Sequence, residues 1–174
     1  MQLLYSFLRT AGAASTCGLL LTGCCWDVRQ ENTGFVTFQF ATDTTATGRG
    51  FRKQEVQSVY VVRYTDANLT QPFDTLRQLP AGSLVNPTTE NLTIYNTPPN
   101  SLQLFFQETK LGGFSSYRIL VPASQRNFDI QDAALDLQEN DDRCKSVYVQ
   151  QIRFTLNGQP TVRKMFAEPV LLSK

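Results

Sequence analysis

Val147 to Phe166 reads VYVQQIRFTLNGQPTVRKMF. Two runs in which apolar and polar residues alternate flank Asn157-Gly158, and Asn-Gly between such runs favours a two-residue type I′ turn, because both central positions require positive φ. The stretch reads as a β-hairpin. In its first arm the apolar parity changes, from Val147 and Val149 to Ile152, Phe154 and Leu156, and a bulge near Gln150-Gln151 reconciles the two faces. Downstream, Pro169 cannot donate to a ladder, so the last residues are expected at an edge or outside the sheet.

Upstream of the hairpin the same signals recur. Val36, Phe38 and Phe40 alternate with Thr37 and Gln39, giving a half-buried strand. Val56 to Tyr64 is apolar on both faces and rich in β-branched residues, as expected of a central strand. Asn91 to Tyr95, Leu102 to Gln107 and Tyr117 to Val121 read as three strands in a meander, separated by the turn formers Asn96 to Asn100 and by Gly112-Gly113. Asp66 to Gln78 and Leu79 to Thr89 contain proline, asparagine or glycine and are expected to be irregular. One short helix is expected over Ile130 to Glu139, where Ile130, Ala133, Ala134 and Leu137 have helical spacing and Asp129 precedes as a cap. Seven or eight short strands with at most one helix predict an all-β fold, a single antiparallel β-sandwich of immunoglobulin-like or transthyretin-like arrangement. A small β-barrel is the alternative that strand count leaves open.

The chain has 16 basic and 15 acidic residues and no histidine. A nearly neutral chain lacks the footprint of a nucleic-acid binder. Without histidine, the Ser-His-Asp and Cys-His nucleophiles and every His-ligated zinc or haem site are excluded. No cofactor is expected. The acidic residues Asp129, Asp132, Asp136, Glu139, Asp141 and Asp142 invite a calcium site, but a loop counted from Asp136 has no glycine at its sixth position and places Val147 where a bidentate glutamate belongs. No metal site is expected either. Glycosidase chemistry needs two facing carboxylates. Glu55, Glu108 and Glu168 lie on or beside predicted strands, without a spacing that pairs them. Tyr60, Tyr64 and Phe105 are candidates for an aromatic glycan or peptide platform, as well as for core.

The amino-terminal residues MQLLYSFLRTAGAASTCGLLLTG carry one charge, Arg9, and then an uncharged run of small and apolar residues. That is the layout of a secretory signal, and Thr10 to Gly23 is too short for the ~20 apolar residues of a membrane span. Leu21-Thr22-Gly23-Cys24, where the apolar core ends, resembles the lipobox of bacterial lipoprotein precursors. The resemblance implies a diacylglyceryl group on the Cys24 thiol, cleavage after Gly23 and frequent acylation of the new amino group. Residues 1–23 are then a signal peptide, 24–33 a lipidated tether and 34–174 the β-sandwich domain. Two or three acyl chains suffice for stable anchoring. Trp26 beside the anchor suits a membrane interface, with packing back onto the domain as the alternative.

Four cysteines are present. Cys17 leaves with the signal and lipid consumes Cys24, so Cys25 and Cys144 remain as a possible disulfide, with two free thiols as the alternative. Asp43-Thr44-Thr45 and Asp74-Thr75-Leu76 resemble the three-residue O-glycosylation signal of bacteroidete envelopes, which implies possible modification at Thr44 and Thr75. The whole pattern resembles the small β-sandwich lipoproteins of bacteroidete-like bacteria. It implies a non-enzymatic binding or scaffolding module in the cell envelope, held to a membrane through Cys24, in the outer membrane by expectation, with an envelope protein or glycan as partner. A lipidated fimbrial or adhesin-like subunit and a small carboxylate-dependent glycan hydrolase are the competing expectations.

Overall fold

Alternation along β1, Thr33–Phe40, turns Val36, Phe38 and Phe40 to one side, and all three are buried. The computed structural model describes residues 33–42, 48–79, 90–107, 116–141 and 146–174. Nine further strands follow β1: β2 Tyr60–Tyr64, β3 Pro72–Arg77, β4 Tyr95–Asn96, β5 Pro99–Gln107, β6 Ser116–Val121, β7 Arg126–Glu139, β8 Val147–Leu156, β9 Gln159–Lys164 and β10 Val170–Leu172. They form an all-β, sandwich-like fold of two open sheets, one ordered β10-β1-β5-β4 and the other β3-β2-β6-β7-β8-β9. Neither sheet closes into a barrel. β1–β5, β2–β3, β2–β6, β4–β5, β6–β7 and β8–β9 pair antiparallel, and β10 runs parallel to β1.

The inner faces meet through Leu102, Leu104 and Phe106 of β5, Ile119 and Val121 of β6, Phe128 and Ile130 of β7, and Ile152 and Phe154 of β8. Phe154 stacks on Phe106 with centroids 6.1 Å apart and lies 5.9 Å from Phe38, so one ring of the six-stranded sheet touches both central strands of the other. Phe51 packs between Phe40 and Phe128 at 5.4 and 6.1 Å and continues the same core.

The β8–β9 hairpin has the predicted turn, with φ of 51° at Asn157 and 77° at Gly158. The turn is docked as well as tight: Asn157 N–H donates to the Asp129 carbonyl and Asn157 Oδ1 accepts from Asp129 N–H, both at 2.8 Å. A Cβ at position 158 meets nothing within 4 Å, so a substitution there acts through the backbone alone. Gly158→Val is expected to destabilise the domain by about 1–2 kcal/mol, because a β-branched residue resists positive φ. Urea denaturation checks this, and an unchanged midpoint would refute it. The parity change in β8 is also present. Val149 is buried on one side of Gln150-Gln151 and Ile152 and Phe154 on the other, and the β9 ladder starts at Gln151.

Five expectations are corrected. Ile130 to Glu139 is strand, within β7, not helix. Phe128 and Ile130 point inward, Asp132 adopts φ of 53°, and the inward set resumes at Ala133 and Leu135. That shift in phase produces an i, i+3 spacing that imitates a helical face. The α-helix instead occupies Lys53–Gln57, with Val56 buried, so the expected strand over Val56 to Tyr64 begins only at Tyr60. Asp66 to Gln78 is not irregular throughout, since it contains β3. Asn91 to Tyr95 contributes only the start of β4, plus a bridge from Leu92 to Gln78. The meander does not form: β4 and β5 pair, but β6 lies in the other sheet between β2 and β7. Pro169 precedes β10 at the edge of its sheet, as expected.

A separate unit, of which residues 139–141 and 146–147 are described, is closed by Asn140 N–H donating to the Ser146 carbonyl at 2.8 Å.

Candidate functional site

Arg63 is the one charge inside the apolar run YVVRY of β2. Val61, two residues earlier, faces the core, and alternation puts Arg63 on the same face at the end of the strand. A cation there needs partners, because an unpaired buried charge is costly. Strand register supplies the first: Asp74 of β3 lies directly opposite Arg63. The two form a fork, with Nε to Oδ1 at 2.6 Å and Nη2 to Oδ2, while Nη1 bonds Glu90. The Arg63 side chain is 13% exposed, Asp74 33% and Glu90 69%. The hydrogen bond to Asp74 is the main reason the guanidinium pKa is raised.

On the other side of β2, Tyr117 of β6 stands opposite Arg63. Its hydroxyl donates to the Phe105 carbonyl on β5, so this phenol links the two sheets. Its ring meets Phe106 edge-on at 5.1 Å. Burial pushes the phenol pKa up, against a smaller downward pull from Arg63. Tyr117 is therefore a neutral donor at physiological pH.

Above these groups opens a cleft of about 450 Å³ between β5 and the β2–β3 end of the facing sheet. Leu76, Leu92 and Leu104 give it apolar walls. Asn91, Thr93, Tyr95, Gln103 and Gln107 also line it, and Phe105 does so beside its backbone carbonyl, which accepts from Tyr117, while its ring pairs with Phe35 on the outward face of the sheet. The charged groups of its lining are Arg63 and Glu90, which are paired with each other, and Asp74 backs Arg63 from outside the cleft. The arrangement favours neutral polar groups and the faces of rings over a free anion.

Of the aromatic platform read from the sequence, only Phe105 reaches this cleft. Tyr60 and Tyr64 lie on the opposite face of β2, under Arg77 at 4.7 Å and Arg118 at 5.9 Å. That platform is corrected, because Phe105 belongs to the other sheet. Comparison with protein-family models, curated proteins and solved structures finds no significant match. The site therefore has to be read from its own chemistry.

The glutamates considered for hydrolysis are not brought together. Glu55 accepts Arg52 N–H at 2.6 Å and pairs with Lys174 at 2.8 Å, and Glu168 is exposed between β9 and β10. Glu108 lies outside the described residues. In the acidic stretch, Asp129 pairs with Arg118 and Asp136 with Arg153, each at 2.6 Å, and among the described residues no group of three acidic or cysteine ligands could hold a metal ion. Thr75 is exposed on the edge strand β3, on the face opposite Asp74. Cys24, Cys25, Cys144, Thr44 and Trp26 lie outside the described residues. Among the described residues no helix is long and apolar enough to cross a membrane.

Proposed function

We propose that the chain is the precursor of a bacterial lipoprotein, anchored through lipid on Cys24, whose sandwich is a non-enzymatic binding module of the cell envelope. Its binding site is the cleft over Arg63 and Tyr117, and its ligand a neutral, polar envelope component, a glycan or an uncharged peptide segment. Anchoring is supported by Leu21-Thr22-Gly23-Cys24 at the end of a short apolar signal core. The single observation that carries the binding reading is that the carboxylates at the cleft are already engaged: Glu90 of its wall and Asp74 behind it both bond the Arg63 guanidinium, and the one negative charge left over sits on the side that Glu90 exposes to solvent. A hydrolase needs one carboxyl group as proton donor and the other free as base or nucleophile, and a shared cation opposes the protonated form of either.

Assembly through an edge strand has less support. The β9 edge carries Pro160 and Lys164, features that discourage strand addition, and the Phe105 carbonyl beside the cleft already accepts the Tyr117 hydroxyl. The outer membrane is the proposed location.

Expression in a lipoprotein-competent gram-negative host with labelled palmitate tests the anchor. The wild-type chain is expected to take up label and sediment with membranes, with a mature amino terminus at Cys24. Cys24→Ala is expected to lose the label entirely and to leave uncut or soluble protein. Label retained in Cys24→Ala, or a terminus mapped elsewhere, would defeat the proposal.

A further inference from the structure

Phe166 is 84% exposed and adopts φ of 59°, in a turn just after β9. A bulky aromatic residue at positive φ is a costly choice, and asparagine or glycine would serve the turn better. Strain of this kind clusters where function requires it. Its ring stands edge-on to Phe35 at 5.5 Å, and Phe35 in turn lies 6.0 Å from Phe105, its direct partner across the β1–β5 ladder. Phe105 is 54% exposed. Three rings, with Phe35 packed between the other two, thus cluster at the outward face of the four-stranded sheet, next to Thr37 and Gln103, which are polar. Leu171 is exposed farther along the same sheet.

The position of this patch identifies what it meets. Phe35 is the third residue of β1, about 7 Å along the strand from Thr33. The chain from Cys24 to Thr33 spans nine residue steps, at most about 32 Å when fully extended. A lipid on Cys24 therefore keeps the Thr33 end of the sandwich within that distance of the bilayer, and the rings stand at that end. The charges beside them are Lys164 and the part-buried Arg163 against Glu168, and a zwitterionic bilayer offers the one positive charge left over no net counter-charge. Contact would then come from ring burial in the headgroup and upper acyl layer, where aromatic side chains are favoured.

We propose that Phe35, Phe105 and Phe166 form a docking patch that seats the end of the sandwich in the interfacial layer of the bilayer. It rests on the lipoprotein reading given above. Seating this end fixes the orientation of the domain as well as its distance, and it brings the cleft, which shares Phe105, close to the membrane surface.

The test uses the full chain, processed and lipidated in a gram-negative host and reconstituted into phosphatidylcholine vesicles with or without brominated acyl chains. The chain has one tryptophan, so Trp26→Phe combined with Phe166→Trp leaves a single reporter in the patch. The expected result is blue-shifted emission, quenched by the brominated chains, protected from aqueous iodide and unchanged in high salt. With the reporter moved to Phe105→Trp, adding Phe166→Asn is expected to lower the docked-to-undocked ratio by about tenfold or more, the loss of one buried ring. The same substitution is expected to leave the melting temperature equal or higher, because asparagine accepts positive φ, so loss of docking cannot be ascribed to loss of folding.

A reporter open to iodide, on protein that floats with the vesicles and carries an acyl mass on Cys24, overturns docking and leaves the anchor standing. A reporter shielded from both quenchers also overturns it, by showing that a second copy or the tether covers the rings. Protein that neither floats nor carries an acyl mass overturns the anchor and docking together.

Discussion

Replacing Phe154 by alanine is expected to lower the free energy of unfolding by about 3–5 kcal/mol. The ring is buried and contacts Phe38 of β1 and Phe106 of β5 from the opposite sheet, so its removal takes away transfer energy and leaves a cavity between layers that both sheets would have to close. Rigid strands on both sides limit that collapse. Domains of this size have a total stability of about 5–15 kcal/mol, so a fall in melting temperature of about 10 °C is expected, with little change in the denaturant slope. A loss below about 1 kcal/mol would mean that the two sheets do not meet through Phe154.

Arg63→Met is expected to cost about 2–3 kcal/mol. Breaking a buried pair from one side leaves the other charge uncompensated, which costs about 3–5 kcal/mol when burial is complete. Asp74 keeps a third of its exposure, so water takes up part of that penalty. Glu90 is mostly exposed and contributes little. The double variant Arg63→Met, Asp74→Leu is expected to recover most of the loss, since an apolar pair of similar volume carries no desolvation cost. A double-mutant cycle in urea measures both. If the double variant were as unstable as the sum of the two single changes, Arg63 and Asp74 would not be acting as a pair.

How much of this was legible in the sequence depends on the reach of the interaction involved. The hairpin at Asn157-Gly158 and the face of β1 were legible because turn chemistry and alternation act over a few residues. The same local rule misread β7. Asp132 takes a left-handed conformation and shifts the inward set by one, so Ile130 and Ala133 fall three apart, and nothing in the spacing separates such an irregular strand from a helix. The helix at Lys53–Gln57 was hidden for the opposite reason, since Val56 and Val59 continue into β2 as one apolar run. The candidate site was almost illegible. Arg63, Asp74, Glu90 and Tyr117 come together through sheet register and through a loop, across separations that spacing does not encode, and Asp74 fell in a stretch expected to be irregular. The usable signal was Arg63 itself, a charge within a buried strand, which implies an unnamed counter-charge.

β10 lies parallel to β1 and β5 antiparallel to it, so β1 is held on both sides. A pull delivered at Thr33, where the chain enters the sheet, runs along the axis of β1 and across its ladder bonds. Thr33 to Gln39 are all paired with β5. The load is therefore shared by the whole ladder in shear instead of opening it one bond at a time, as happens when force acts perpendicular to a strand. The point at which the domain is joined to the preceding chain is thus a mechanically resistant one.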